Sequence, residues 1–200
     1  MKKHSLLIGI IFSIILFTVS AAYYPGGSQK DINAIGYDWR YNYLCNLVSE
    51  KAVNGAENAS RVWGIMGMLF VCASLSLFFV RFADKMPVIK SAKIIKYSGI
   101  GSMFFGFFVF TSYHNLMTTL SSIAALVALF YMVIYIFKSK RLVFKWLSAL
   151  CLAILYLNNY IYYSHNFLEL LPILQKISFL IVCALILGLD YFTVKEDFLA

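Results

Sequence analysis

Val62-Trp-Gly-Ile-Met-Gly-Met-Leu-Phe-Val-Cys-Ala-Ser-Leu-Ser-Leu-Phe-Phe-Val-Arg-Phe-Ala83 is the stretch whose reading decides the fold. Its one charged residue, Arg81, lies at its far end. A helix rises about 1.5 Å per residue, so roughly 20 apolar residues cross a hydrocarbon core about 30 Å thick. Five further stretches have the same character: Ser5–Tyr23, Tyr97–Tyr113, Thr118–Phe137, Leu142–Tyr163 and Ile173–Val194. Lipid offers no partner to an unpaired backbone group, which excludes an open sheet and requires the spans to be helices.

Composition agrees with this reading. Hydrophobic residues make up 62% of the 200 residues and charged residues 13%, outside the usual range of soluble domains. The spans consume about 120 residues and leave no room for a soluble second domain. The expected fold is all-α: residues 1–200 form a single integral membrane bundle of six transmembrane helices. A long extracytoplasmic loop, residues 24–61, joins the first two.

The net charge of +8 is distributed as topology rather than as a nucleic-acid footprint. Arg81, Lys85, Lys90, Lys93 and Lys96 cluster around the second connection, and Lys138, Lys140, Arg141 and Lys145 around the fourth. The third connection, His114–Met117, has no Lys or Arg, and the fifth only Lys176. Short cationic loops stay cytoplasmic, so both termini are expected on the cytoplasmic side of the cell membrane. The loop Tyr24–Arg61, with four basic and four acidic residues, is expected outside. The excess positive charge then meets anionic lipid, and no nucleic-acid partner is expected. Met1-Lys-Lys-His4, the apolar run and Val19-Ser-Ala-Ala22 also imitate a cleavable secretory signal. A retained first helix keeps the even topology and is the expectation.

The loop is the one long polar connection. Tyr24-Pro-Gly-Gly-Ser28 breaks the first helix, and Asn54-Gly55 is a turn signal. Tyr37, Trp39, Tyr41 and Tyr43 alternate with Asp38, Arg40 and Asn42, the period of a strand or an interfacial strip. Glu57, Asn58 and Ser60 read as the approach to the second helix. Asn58-Ala-Ser60 is formally a glycosylation sequon, but its closeness to the membrane argues against use. Cys45 is the only cysteine of the loop, and Cys72, Cys151 and Cys183 fall within spans.

Polar residues concentrate at the loop side: His114 and Asn115 after the third span, Asn158, Asn159 and Tyr163 late in the fifth, Gln175 and Lys176 early in the sixth. They face the same side as Asp38, Arg40, Asn42, Asn46 and Glu57. Lys176 is expected to snorkel, Asp190 to be a solvated helix end near Lys195, and Asn158 and Asn159 either to tie helices together or to serve a site. Catalytic templates are missing: three histidines lie on opposite sides of the expected membrane, and neither a nucleophile elbow nor a phosphate-binding glycine loop occurs. No cofactor or metal is expected, and the protein reads as non-enzymatic or weakly enzymatic.

Asn42-Tyr-Leu-Cys-Asn-Leu47, followed by Asn54-Gly-Ala-Glu-Asn58 leading into the second span, resembles the first-loop pattern of a six-span bacterial membrane family, domain of unknown function 998. That family is similar in layout to the Frag/DRAM/Sfk group. His114 and Gln175-Lys176 match the polar openings of its fourth and sixth helices. Cys45, Asn46 and Val48 depart from the Ser, Asp and Gly that its pattern carries, so a role resting on that acidic residue does not transfer. The resemblance implies architecture and a suspect face, and through the eukaryotic look-alikes a connection with lipid. The expected function is therefore lipid interaction through a polar pocket in the outer leaflet. Its candidate residues are Asp38, Arg40, Asn42, Asn46, Glu57, His114, Asn115, Asn158, Asn159 and Tyr163, and its partner is membrane lipid. The alternative is a small transporter or a subunit of an envelope complex, with Gly64, Gly67, Gly99, Gly101 and Gly106 meeting a membrane-protein partner.

Overall fold

The structure, a computed structural model, describes residues 4–199. Six α-helices make up most of it: α1 (Ser5–Ala22), α2 (Arg61–Asp84), α3 (Ile89–Phe107), α4 (His114–Lys138), α5 (Leu142–Ser164) and α6 (Leu171–Phe192). All six are long and apolar enough to cross a membrane, and the chain is a multi-pass helical bundle. Each helix packs against the next, and α6 returns to α2 and α1, closing the ring.

The bundle has two chemically different ends. One carries the long loop and the α3/α4 and α5/α6 connections, tied together where Gln175 Oε1 accepts the Leu44 N–H at 2.8 Å. The other carries both chain ends, where the His4 ring and the Tyr191 hydroxyl share a 2.8 Å hydrogen bond. The aromatic core sits nearer this second end. Phe78 and Phe82 of α2 are fully buried and stack 5.4 Å apart, and Phe82 meets Phe198 edge-on.

Helix ends depart from the hydropathy boundaries for local reasons. The third helix begins at Ile89 rather than Tyr97, because hydropathy marks where lipid begins and not where i→i−4 hydrogen bonding does. Lys90 and Lys93 therefore lie exposed on an extra helical stretch. Likewise α4 begins at His114, ahead of the apolar run. Pro172 stands in the first turn of α6, where its missing N–H costs nothing. Helix α5 ends where His165 turns left-handed, with φ 58°, and donates its N–H to the Ile161 carbonyl.

The alternating segment Tyr37–Tyr43 forms turns, not a strand. Asp38 Oδ1 accepts the N–H groups of Arg40 and Tyr41 at 2.8 and 3.2 Å, a local bond that competes with strand pairing. Asn54-Gly55 does form a tight turn, with Gly55 at φ +85°. Gly27, at φ +81°, lies so close to the backbone of Asn54 that a Cβ would collide with it. A short 3-10 helix, Leu44–Val48, then docks on α2. It does so at Gly64, whose missing Cβ makes way for the Leu47 carbonyl.

Helix α1 is built into this packing. Leu6 and Ile10 are buried, Ser13 donates to the Gly67 carbonyl at 2.8 Å, and Ser20 donates to the Ser60 carbonyl at 3.0 Å. Four of the five glycines singled out in the sequence are used the same way. Gly64 and Gly67 admit the loop and α1, Gly99 admits the Phe79 ring, and Gly106 lies against Ser121, while Gly101 faces open space.

Candidate functional site

The loop's polar residues are largely occupied in holding the loop together. Asn42 is fully buried: its Nδ2 donates to the Gly27 carbonyl at 2.9 Å and its Oδ1 accepts the Asp38 N–H at 3.1 Å. Its own carbonyl accepts from the Tyr37 hydroxyl and from Lys176 Nζ. Lys176 thus fastens α6 to the loop, with a second bond to the Pro172 carbonyl, instead of snorkelling. Asn46 Oδ1 accepts the Tyr43 N–H at 2.6 Å. Asn58 donates to the carbonyls of Asn46 and Ser49 and is buried, so the sequon is closed to a glycan. Arg40 is exposed, lying over the Tyr41 ring, and Glu57 is exposed beside the Lys51 pairing. Burial pushes the Cys45 thiol up to about 11, which leaves little reactive thiolate near neutral pH.

A second polar group lies where α4 meets α5. His114 Nδ1 is 3.3 Å from Asn115 Oδ1, which also accepts from the Tyr162 hydroxyl at 3.1 Å. One turn deeper, the Tyr163 hydroxyl donates to Thr119 Oγ1 at 2.9 Å. His114, Asn115 and Tyr163 are thus drawn together, as a seam between two helices. Asn158 turns the other way: its Nδ2 donates to Ser178 Oγ of α6 at 2.5 Å, while its buried Oδ1 has no partner among the described residues.

Asn159 has a different environment. Its Nδ2 donates to the Leu155 carbonyl of its own helix at 2.8 Å, and its side chain lines a partly open cavity of about 260 Å³ bordered by α2, α3, α4, α5 and α6. The walls are almost entirely apolar, with Leu75, Phe79, Leu126, Leu129 and Val182 among them. Of the polar wall residues, Ser102 and Ser121 satisfy one another, each hydroxyl donating to the other's carbonyl. Ser122 has no such partner among the described residues. On the outer face of the bundle, a groove between α4 and α5 runs past Thr119, Ile123, Tyr156, Tyr160 and Tyr163. Ser122, Leu126 and Asn159 line both spaces and form the wall between them.

Of the sequence-derived candidates, only Asn159 reaches the cavity, and only Asn159 and Tyr163 reach the groove. Ser122 and the apolar lining went unrecognised, since Leu, Val and Ser in a lipid-spanning helix look alike wherever they point. The one available signal was the run of small residues Ser121, Ser122, Ala124 and Ala125, which leaves space beside α4.

The opposite end holds a buried ionic contact. Arg81 Nη1 and Asp190 Oδ2 are 2.9 Å apart, with the Asp190 side chain 8% exposed. Asp190 is therefore not a solvated helix end: it is partnered across the bundle by α2, an arrangement hydropathy cannot register. Lys85 Nζ donates to the carbonyls of Leu189 and Asp190. Burial pulls its ammonium below the usual lysine range, while the Asp190 carboxylate opposes that shift. No group of three or more His, Cys, Asp or Glu side chains converges as a metal site among the described residues. No protein-family model, curated protein or solved structure matches the chain.

Proposed function

We propose that this membrane bundle binds lipid, taking a hydrocarbon chain from the bilayer through the α4/α5 groove into the central cavity. The observation that carries this reading is the shared wall of Ser122, Leu126 and Asn159 between an apolar interior space and a groove on the bundle's outer face. Sites for small molecules are concave and mostly apolar, with a few polar groups that fix orientation, and these two spaces have that character. The α4/α5 seam is the suited route, because α5 is the least buried of the spans and the groove runs along that seam.

This reading moves the site from the sequence-derived cap to the side of the bundle. Asp38, Arg40, Asn42, Asn46 and Glu57 then shape or surround the loop, and His114, Asn115 and Tyr163 form the upper rim. With the loop outside and both termini cytoplasmic, as the Lys and Arg distribution argues, the groove opens to the outer leaflet. Kinship with the six-span family that the loop motifs resemble is part of the proposal and brings no reaction with it.

Lipids extracted with protein purified from native membranes test it. A particular lipid species is expected to be enriched over bulk membrane and lost in Leu126→Trp, which fills the cavity. Bulk lipid alone, the same in both proteins, would sink the reading. Orientation is tested by labelling a cysteine placed at exposed Lys51 or exposed Lys140 in intact cells. Labelling of the second and not the first would reverse the topology.

A further inference from the structure

The lipid-binding reading leaves the ligand's chemistry open, and the lining narrows it. We infer that the cavity selects an uncharged, single-chain amphiphile whose head offers hydroxyl or ester groups, of the monoacylglycerol or long-chain alcohol class. This rests on the cavity being a lipid site.

The absence of charge in the lining carries the inference. No Lys, Arg, His, Asp or Glu lines the cavity or the groove. An ionised carboxylate or phosphate drawn into such a space would lose its water and meet no counter-charge, and burying an unpaired charge is among the costliest changes a site can make. Two cations that do reach into the bundle are engaged elsewhere. Lys176 is spent on the Asn42 and Pro172 carbonyls, and Arg81 on Asp190 at the opposite end.

The polar handles present are neutral and unsaturated. An amide nitrogen carries two hydrogens, and Asn159 Nδ2 commits one to the Leu155 carbonyl. That leaves Asn159 Oδ1 as an acceptor, a second N–H as a donor, and the Ser122 hydroxyl as both. Both side chains stand on the wall between cavity and groove, where a headgroup would come to rest once its chain had entered. Ligand pockets commonly measure roughly 300–1,000 Å³. At about 260 Å³, this cavity suits one chain rather than two.

The test uses the full-length protein in nanodiscs and a monoacylglycerol bearing a diazirine near its chain end. Saturable crosslinking is expected on the peptides carrying Leu126, Leu155 and Val182. Excess unlabelled monoacylglycerol, at about ten times its Kd, should suppress it about tenfold. Oleate at alkaline pH and lysophosphatidylglycerol should leave it nearly unchanged, and oleate should begin to compete only as acid neutralises its carboxyl. Asn159→Leu should weaken labelling about tenfold, in line with one lost hydrogen bond. Ser122→Ala, a smaller change, serves if the first variant folds poorly and should weaken labelling severalfold. Equal competition by the charged lipids at alkaline pH would overturn the inference and leave the lipid reading standing, as would wild-type labelling in both variants. No saturable crosslink from the monoacylglycerol probe at those three positions would also overturn it. If an oleate probe then labels them, the lipid reading survives; if it too fails, both fall.

Discussion

Asn42 and Asn159 are the same residue type at the same end of one bundle, and they have opposite fates. Asn42 is fully enclosed, with its amide nitrogen, amide oxygen and backbone carbonyl all engaged. Asn159 bonds only to its own helix and points hydrogen-bonding capacity into an apolar space. Their surroundings differ in the same sense. Helix α2 is the most buried span and α5 the least. Around α2, glycines admit α1, the loop and the Phe79 ring at close quarters, whereas α4 and α5 leave a groove between them. A polar side chain in a close-packed region is consumed by structure. In a loosely packed one it remains available to a ligand.

Four substitutions would break or sharpen that contrast. The largest effect is expected at the close-packed end. Arg81→Leu should cost about 3 kcal/mol, because removing one partner strands a buried charge. Melting in detergent would measure it, and adding Asp190→Leu should recover most of the loss.

Asn42→Ala should cost about 2 kcal/mol by leaving the buried Gly27 carbonyl and Asp38 N–H without partners. Loosening of the loop would follow, read as faster proteolysis between Tyr24 and Ser60. A melting temperature unchanged from wild type would contradict the role given to Asn42.

Gly64→Ala should destabilise by about 1–2 kcal/mol, since the new methyl meets the Leu47 carbonyl and overpacking is costly. Gly101→Ala is the control: its Cβ meets nothing, and the helix should gain about 0.5–1 kcal/mol from alanine's higher propensity. Equal destabilisation at the two sites would refute the packing difference.

Asn159→Leu should have the smallest effect on stability, within about 0.6 kcal/mol, the size of an average polar contact between membrane helices. Its binding of monoacylglycerol should nevertheless fall. A large drop in melting temperature would put Asn159 in the same class as Asn42.

The candidate site was legible only in part. Asn159 and Tyr163 stood out because polar residues are conspicuous in an apolar segment. Ser122 and Leu126 did not, because which face of a helix points at a cavity depends on where its neighbours lie. Asn42 drew attention for the same reason as Asn159, and composition could not tell a structural amide from an available one. Asp190 looked solvated because its partner, Arg81, lies 109 residues away.

The sequence by itself determined six helices, their approximate spans and the concentration of polar chemistry at one end. These follow from local quantities, namely segment length, hydropathy and the charge of the connections, each readable within a window of some twenty residues. Only the tertiary structure decided which polar groups are already engaged, that four of the five glycines serve internal packing, and that a groove between α4 and α5 adjoins a cavity. Those properties depend on distances between residues far apart in the chain, and one helix's hydropathy carries no record of what its neighbour leaves empty.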